Sequence, residues 1–124
     1  MTRIEKDEVR EERIHMEIVV DAYGPEEQAM SWCYYLNDVL QFPFLTRCIA
    51  KRAISPLRVG DEVEVLGMAS ENECQHEMFV MIRWDREDGL GVPLSQLAVI
   101  HADDEQTREA VEDWHYWVGR GYEF

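Results

Sequence analysis

Residues 59–100 read VGDEVEVLGMASENECQHEMFVMIRWDREDGLGVPLSQLAVI, and this stretch decides the fold. Val63 and Val65 alternate with charged residues, as a strand with one buried face requires. The nearly continuous apolar run at 78–84 predicts a central strand that is covered on both sides. Apolar residues alternate again at positions 90, 92 and 94, and Pro93 in that run indicates an edge strand or a bend. We predict a small, bent antiparallel sheet of the SH3-like barrel kind.

Two helical patterns precede this sheet. Apolar residues at helical spacing predict a first helix from about Glu8 to Tyr23, although the segment IVV at 18–20 also fits a strand. The second helix should begin at Pro25, since proline suits the first helical turn. It should stop before Pro43, because a residue preceding proline avoids helical backbone angles.

A strand at 45–54 and a final helix complete the expected fold. Asp103 is the predicted cap of that helix, and glycines at 119 and 121 should end it. We therefore predict an α+β fold in which two N-terminal helices and one C-terminal helix pack on a barrel. Residues 1–124 should form a single domain, with residues 1–8 frayed. The buried face of the last helix is expected to comprise Ala110, Val111, Trp114, Trp117 and Val118.

The charge of the chain limits its binding partners. Twenty-six acidic residues against twelve basic ones give a formal net charge of -14. Such a surface repels phosphate groups, so binding to nucleic acid or to an anionic membrane is not expected. It suits a cationic protein partner or a hard cation such as Ca²⁺.

The cysteines, histidines and motifs argue against an enzyme and against an oxidising compartment. Cys33, Cys48 and Cys74 are odd in number and lack CxxC spacing, so neither a structural zinc site nor a disulfide framework is indicated. The first residues contain no apolar signal segment, and we expect a cytoplasmic protein. The four histidines are scattered, and no serine-hydrolase, zinc-protease or nucleotide-binding motif is present.

Two acidic loops between the predicted strands favour a metal. The loop at 69–77 carries Glu71, Glu73 and Glu77, and the loop at 85–89 carries Asp85 and Asp88. Calcium requires six to eight oxygen ligands, several of them carboxylates, on a backbone that can converge. An alternative is that these acids simply solvate the surface.

Neither loop is an EF-hand. That motif needs a glycine at its sixth position and a glutamate at its twelfth. Counted from Asp85, those positions hold Leu90 and Gln96.

The order of the strands divides the acids into two candidate sites. Successive hairpin loops of a meander lie at opposite ends of the sheet, so the loop at 69–77 should lie near the end of the second helix, where Asp38 is found. Site A is therefore predicted to comprise Asp38 with Glu71, Glu73 and Glu77. A weaker site B combines Asp85 and Asp88, with Asp61 as a further candidate.

Most of the chain resembles the cyanobacterial calcium-binding, or CcbP-like, protein family. The resemblance lies in the phrases VDAYGPEEQAMSWCYYLNDVLQFPF (20–44), SPLRVGDEVEVLGMA (55–69), MFVMIRWDREDGLGVPLSQL (78–97) and EDWHYWVGRGYEF (112–124). It implies an acidic cytosolic protein that binds Ca²⁺ outside an EF-hand. In cyanobacteria such proteins are associated with control of free calcium during heterocyst differentiation.

The leading hypothesis is therefore a calcium buffer or sensor that works through loop carboxylates. Asp38 is its first candidate ligand, because it lies in the matching phrase LNDVLQFPF. The alternative is an SH3-like interaction module whose acidic and aromatic surface docks a basic partner.

Overall fold

The computed structural model describes residues 5–20, 22–85, 87–122 and 124, with the backbone but not the side chains of Glu87 and Asp88. Its helices are α1 (Glu8–Arg13), continued by a π-helical turn (Ile14–Ile18), then α2 (Pro25–Val39), a 3-10 turn (Leu94–Gln96) and α3 (Glu105–Gly119). Its strands are β1 (Phe44–Cys48), β2 (Glu62–Met68), β3 (Phe79–Trp84), β4 (Glu87–Pro93) and β5 (Leu97–His101). Within these ranges no helix combines the length and apolar character that crossing a bilayer requires.

The strands form one open antiparallel sheet in the order β4-β3-β2-β1-β5. The predicted α+β class and the antiparallel meander are confirmed, but the SH3-like barrel is not. β4 and β5 are the opposite edges of the sheet, and no ladder joins them in the described part of the chain. The reason lies after Pro93, where the 3-10 turn at Leu94–Gln96 carries the chain to the free side of β1.

The first helix is shorter than predicted. The amide of Val19 donates to the carbonyl of Ile14 at 2.9 Å, which closes a widened π turn and ends the helix before Tyr23. The strand alternative at 18–20 is therefore wrong. At the other end, the Asp7 carboxylate caps α1 by accepting from the amide of Arg10 at 3.1 Å.

The second helix and the strands that follow largely match expectation. α2 begins at Pro25 and ends at Val39, before Pro43. β1 is shorter than the predicted strand at 45–54 and stops at Cys48, whose amide pairs with the carbonyl of Asp61. β3 is fully buried on one face rather than on both, since its residues alternate between buried and partly exposed.

The last helix differs from prediction at its start and on its apolar face. Its N-cap is Asp104, and no side chain caps it by hydrogen bonding. Asp103 instead lies 3.7 Å from the ring of His101. Four of the five predicted face residues are buried, whereas Val118 is 40% exposed and is a correction.

Three tryptophans join α2 to α3 in the centre of the core. Trp32 of α2 is fully buried, and its ring lies 5.0 Å from that of Trp114 and 5.7 Å from that of Trp117. Both contacts are edge-to-face, an arrangement that aromatic quadrupoles favour. Phe124 stacks on Trp114 at 6.0 Å, so the end of the chain also packs on this cluster.

A buried carboxylate fastens α1 to α3. Asp113 is fully buried, and it accepts hydrogen bonds from Arg10 at 2.6 Å and from Arg13 at 2.7 and 2.8 Å. The two contacts from Arg13 have the bidentate geometry that gives the strongest charge-assisted bonds. The unfavourable burial of this charge is thus offset by two cations from one helix.

A second buried acid reinforces the same junction. Glu11 is 8% exposed and accepts from the hydroxyls of Tyr116 at 2.5 Å and Tyr122 at 2.8 Å. Burial alone would raise the pKa of this carboxyl, but these hydrogen bonds and one from His15 lower the pKa below its ordinary value.

Side chains of α3 cover the outer edge of β5. Because the carbonyl of Gln96 pairs inward with the amide of Ile49, the carbonyls of Leu97 and Val99 point away from β1. His115 donates from Nε2 to Leu97 at 2.6 Å, and Arg108 donates to Val99 at 3.0 Å. Burial lowers the pKa of His115.

Loss of the buried charge should destabilise the whole fold. Asp113→Asn keeps the shape of the side chain but removes the buried counter-charge that both arginines share, and we expect the free energy of unfolding to fall by about 3 kcal/mol. The matched control is Glu112→Gln, which removes a half-exposed partner of Arg10 and should cost less than about 1 kcal/mol. Urea unfolding measures both, and equal losses would contradict the assigned role.

Lowering the pH should weaken the contact that Glu11 makes between α1 and α3. Since the folded-state pKa of Glu11 is lowered, its contribution to stability is complete above the ordinary value of 4.5 and is lost as pH falls through the folded-state value. Glu11→Gln should therefore flatten the decline in melting temperature between about pH 5 and pH 2. The exposed neighbour substitution Glu12→Gln should keep the wild-type slope, and a wild-type slope in both variants would contradict this account.

Candidate metal centre

The strand registers place the two acidic loops at opposite ends of the sheet. Val65 of β2 is opposite both Phe44 of β1 and Ile82 of β3. The loop at 69–78 therefore lies at the end where β1 begins, which is also the end that follows α2. Asp85, in the turn between β3 and β4, lies at the other end, near the start of β2.

Tyr34 connects α2 to the first acidic loop. Its hydroxyl donates to Glu71 Oε1 at 2.9 Å, and both side chains are exposed. Asp38 follows Tyr34 by one helical turn, so it lies on the same face of α2. Asp38 and Tyr34 also line an open depression together with Glu17 and Asn37. Tyr34 is thus hydrogen-bonded to one predicted ligand, Glu71, and lies on the same helix face as the other, Asp38.

The other two glutamates of this loop have different surroundings. The carboxylate of Glu73 folds back to accept from the amide of Ser70 at 3.3 Å and lies over Gly91 of β4. Glu77 pairs with Arg52 at 2.5 Å and accepts from Ser95 at 3.2 Å. Glu71, Glu73 and Glu77 therefore contact three separate parts of the molecule.

The second predicted site is described in part. Asp85 is exposed and has a φ of 53°, a left-handed conformation that aspartate tolerates better than most residues. Asp61 is engaged locally, accepting from the amide of Arg58 at 2.9 Å. The side chain of Asp88 lies outside the described residues, so its role as a ligand stays a prediction.

The donor chemistry fits calcium better than it fits other metals. The carboxylate oxygens of Glu17, Asp38 and Glu71 and the amide oxygen of Asn37 are the hard ligands that Ca²⁺ prefers. In the ranges that the structure describes, no three His, Cys, Asp or Glu side chains lie close enough to hold an ion. A complete coordination shell would therefore require exposed side chains to rotate toward one another.

Sequence reasoning missed two members of this surface, Glu17 and Tyr34. Tyr34 follows the buried Cys33 in α2, but its own side chain is 57% exposed. Its spacing of four residues from Asp38 was a usable signal for a shared face. Glu17 gave no such signal, because its position depends on how the π-helical turn packs beside α2.

Two cysteines lie beneath the contact between Tyr34 and Glu71. The thiols of Cys33 in α2 and Cys74 in the acidic loop are both buried, and each affects the pKa of the other. Burial raises the pKa of Cys33, and it raises the pKa of Cys74 to about 12. The junction between α2 and the loop is thus polar outside and sulfur-packed inside.

Comparison with known proteins gives a consistent result. A family model described as calcium binding, Calci_bind_CcbP, matches residues 12–118. The fold is similar to the crystal structure of Anabaena CcbP, with 44% sequence identity and a TM-score of 0.86 over 100% of both chains. It is also similar to a calcium binding protein in the calcium-binding form, with 43% identity and a TM-score of 0.84 over 100% of both chains. No match was found among curated proteins.

The bond between Tyr34 and Glu71 should be visible in the titration of the phenol. Hydrogen bonding to the carboxylate raises the pKa of Tyr34. In metal-free protein, Glu71→Gln should lower that pKa toward its ordinary value, as followed by NMR of the Tyr34 ring. Glu73→Gln is the control from the same loop and should leave the titration unchanged; an equal shift in both variants would count against a specific bond.

Proposed function

Because the chain belongs to the CcbP family of calcium-binding proteins, we propose that its principal calcium site forms where α2 meets the acidic loop. Asp38 and Glu71 are its first ligands in this proposal, and Glu17 and Asn37 are neighbouring oxygen donors. The family is one of calcium-binding proteins rather than of enzymes. The single observation that carries this placement is the hydrogen bond from Tyr34 to Glu71, which joins the loop to the helix that bears Asp38.

The hydrogen bonds and ion pairs that the loop glutamates already make determine how readily each could become a calcium ligand. Glu71 is exposed and is held by a neutral phenol, so an ion can replace that bond at small cost. Glu77 is paired with Arg52, and recruiting it would break a charge-assisted bond. Glu73 would lose its hydrogen bond to Ser70. We therefore place Glu73 and Glu77 behind Asp38 and Glu71 as ligands.

Bound calcium would supply the positive charge that this surface lacks. With a net charge of -14, the exposed acids repel one another, and a divalent cation relieves that repulsion locally. The residues of this chain would then do two things: the loop would turn Glu71 from Tyr34 toward the ion, and α2 would present Asp38 as a fixed anchor. Binding to the folded state alone would raise its stability by linkage.

A sensor role fits the position of the loop better than a passive buffer role. The same loop that carries Glu71 also carries His76 and Glu77, which line a cavity with Trp114, Trp117 and Phe124. A change at the calcium ligands would therefore reach the aromatic cluster at the end of the chain. The support for a sensor role is that one loop carries both the ligand and the cavity residues.

Asp85 and Asp88, at the other end of the sheet, are proposed as a second and weaker calcium site.

The cell compartment and a protein partner complete the proposal. Three free, buried cysteines suit the reducing cytoplasm. The large negative charge suits a cationic partner, whose encounter would be favoured by long-range attraction. Calcium would regulate such an encounter, because each bound ion removes part of the attracting charge.

Calorimetry on chelator-treated protein tests the placement. We expect wild-type protein to bind Ca²⁺ with a dissociation constant on the order of micromolar. Asp38→Asn and Glu71→Gln should each weaken the stronger site at least tenfold, equivalent to about 1.4 kcal/mol.

Asp103→Asn is the matched control, since it removes the same charge from a side chain that is 94% exposed at the start of α3. It should leave the affinity within about twofold of wild type, as expected for a screened distant charge. Wild-type binding in Asp38→Asn and Glu71→Gln would show that the site lies elsewhere. No heat with wild-type protein would overturn calcium binding itself.

A further inference from the structure

The loop between β1 and β2, residues 49–60, belongs to a stretch whose charge is opposite to that of the whole molecule. Of the 124 residues in the chain 26 are acidic, but none of residues 39–60 is. The same stretch carries four of the twelve basic residues, Arg47, Lys51, Arg52 and Arg58. The loop is therefore a local positive region on a negative surface.

Two of these cations are not neutralised by a neighbouring acid. Arg47 and Arg52 are each paired with a glutamate. Lys51 and Arg58 are exposed, and neither has an ion-pair partner among the residues that the structure describes. Asp61, which follows the loop, accepts from the backbone amide of Arg58 at 2.9 Å and not from its guanidinium. Both charges are thus available to an anionic group from outside the molecule.

The same loop exposes aliphatic side chains. Ile49, Ile54 and Val59 are 48%, 58% and 66% exposed. A single exposed aliphatic residue is ordinary in a folded protein, so one of them alone would mean little. Three of them in one short loop that also holds two unpaired cations combine apolar surface with positive charge.

A cavity of about 250 Å³ adjoins the start of the loop. Its lining includes Ile49 and Val111, together with the charged residues Arg108 and Glu112. The carboxylate of Glu112 is already bonded to Arg10 at 3.1 Å, so its charge is partly neutralised from within. The cavity can therefore accept an apolar side chain that comes with acidic neighbours.

Hydrogen bonds and burial hold the loop in place. The amide of Ile49 donates to the carbonyl of Gln96 at 2.7 Å, and the side-chain amide of Gln96 donates to the carbonyl of Ala50 at 2.8 Å. Leu57 is buried in the core with 1% of its surface exposed. A surface that is ordered before binding loses little conformational freedom when a partner docks.

We propose that residues 49–60 dock an acidic segment of a partner protein that carries apolar side chains between its carboxylates. Those carboxylates pair with Lys51 and Arg58, and one apolar side chain enters the cavity beside Ile49. The net charge of -14 opposes the approach of such a segment, but at physiological ionic strength charges more than about 8 Å away are largely screened. The segment therefore responds to the loop that it contacts rather than to the whole molecule.

The test uses a short synthetic peptide in which leucines lie between runs of glutamate. It is titrated at physiological ionic strength into isotope-labelled full-length protein in calcium-free buffer, and amide NMR signals are followed. The signals of residues 49–60 should shift most. A peptide with glutamine in place of glutamate and a peptide with alanine in place of leucine should each bind at least about fivefold more weakly.

Charge reversal in the loop has a matched control elsewhere. Lys51→Glu and Arg58→Glu should each weaken binding at least about fivefold, because each replaces an attraction with a repulsion. Lys6→Glu changes the net charge equally at another exposed lysine, and its affinity should stay within about twofold of wild type. Ile54→Ser should also weaken binding, whereas Val9→Ser, at a position of α1 that is 68% exposed, should not.

The outcomes separate a docking surface from a general charge effect. Shifts centred on residues 49–60, with affinity lost in the loop variants alone, would support the proposal. An equal loss in Lys6→Glu would show that net charge governs binding and would overturn it. Shifts centred elsewhere, undiminished binding of the glutamine peptide, or no binding of the glutamate peptide would overturn it as well. All of these measurements are made without calcium, so none of them depends on the proposed calcium site.

Discussion

The packing of Trp32 between Trp114 and Trp117 is the contact on which the rest of the arrangement depends. These rings hold α2 against α3, and α3 in turn covers the edge of β5 and receives α1 through Asp113. The direction of α2 sets where Tyr34 and Asp38 are presented. The position of the acidic surface is thus determined by apolar packing in the core.

The charges of the molecule are divided between structure and function. Asp113 and Glu11 are both buried and satisfied: Arg10 and Arg13 bond to Asp113, and two tyrosine hydroxyls donate to Glu11. Arg52 is likewise engaged with Glu77. With cations used in this way, the exposed acids of the loop and of α2 keep their negative field, which is the condition for attracting a divalent ion.

Local pattern was enough to predict much of the fold, and tertiary contacts explain most of what it missed. The proline at position 25 and the alternation around Val63 and Val65 are short-range signals, and both predicted the correct elements. Closure of the sheet was wrong because it depends on whether two edges distant in sequence meet. The burial of Asp113 could not be predicted either, since its partners lie about a hundred residues away in α1.

The same division holds for the site. The acidic loops and Asp38 could be identified from composition and strand order, and so could their distribution between the two ends of the sheet. The sequence could not show which acids face one another, because Glu73 turns back on its own loop and Glu77 is held by Arg52. Tyr34 was missed for a related reason: whether a tyrosine among the apolar residues of a helix is buried or exposed depends on how that helix packs.

The covering of β5 by Arg108 and His115 has a consequence for the protein at high concentration. Highly charged chains ordinarily stay dispersed by mutual repulsion, and counter-ions such as calcium weaken that protection. Here the outward carbonyls of Leu97 and Val99 already accept hydrogen bonds from within the molecule, which hinders strand-to-strand association through this edge. When cations screen the negative charge of the molecule, hydrogen bonding at β5 therefore still opposes association through that edge.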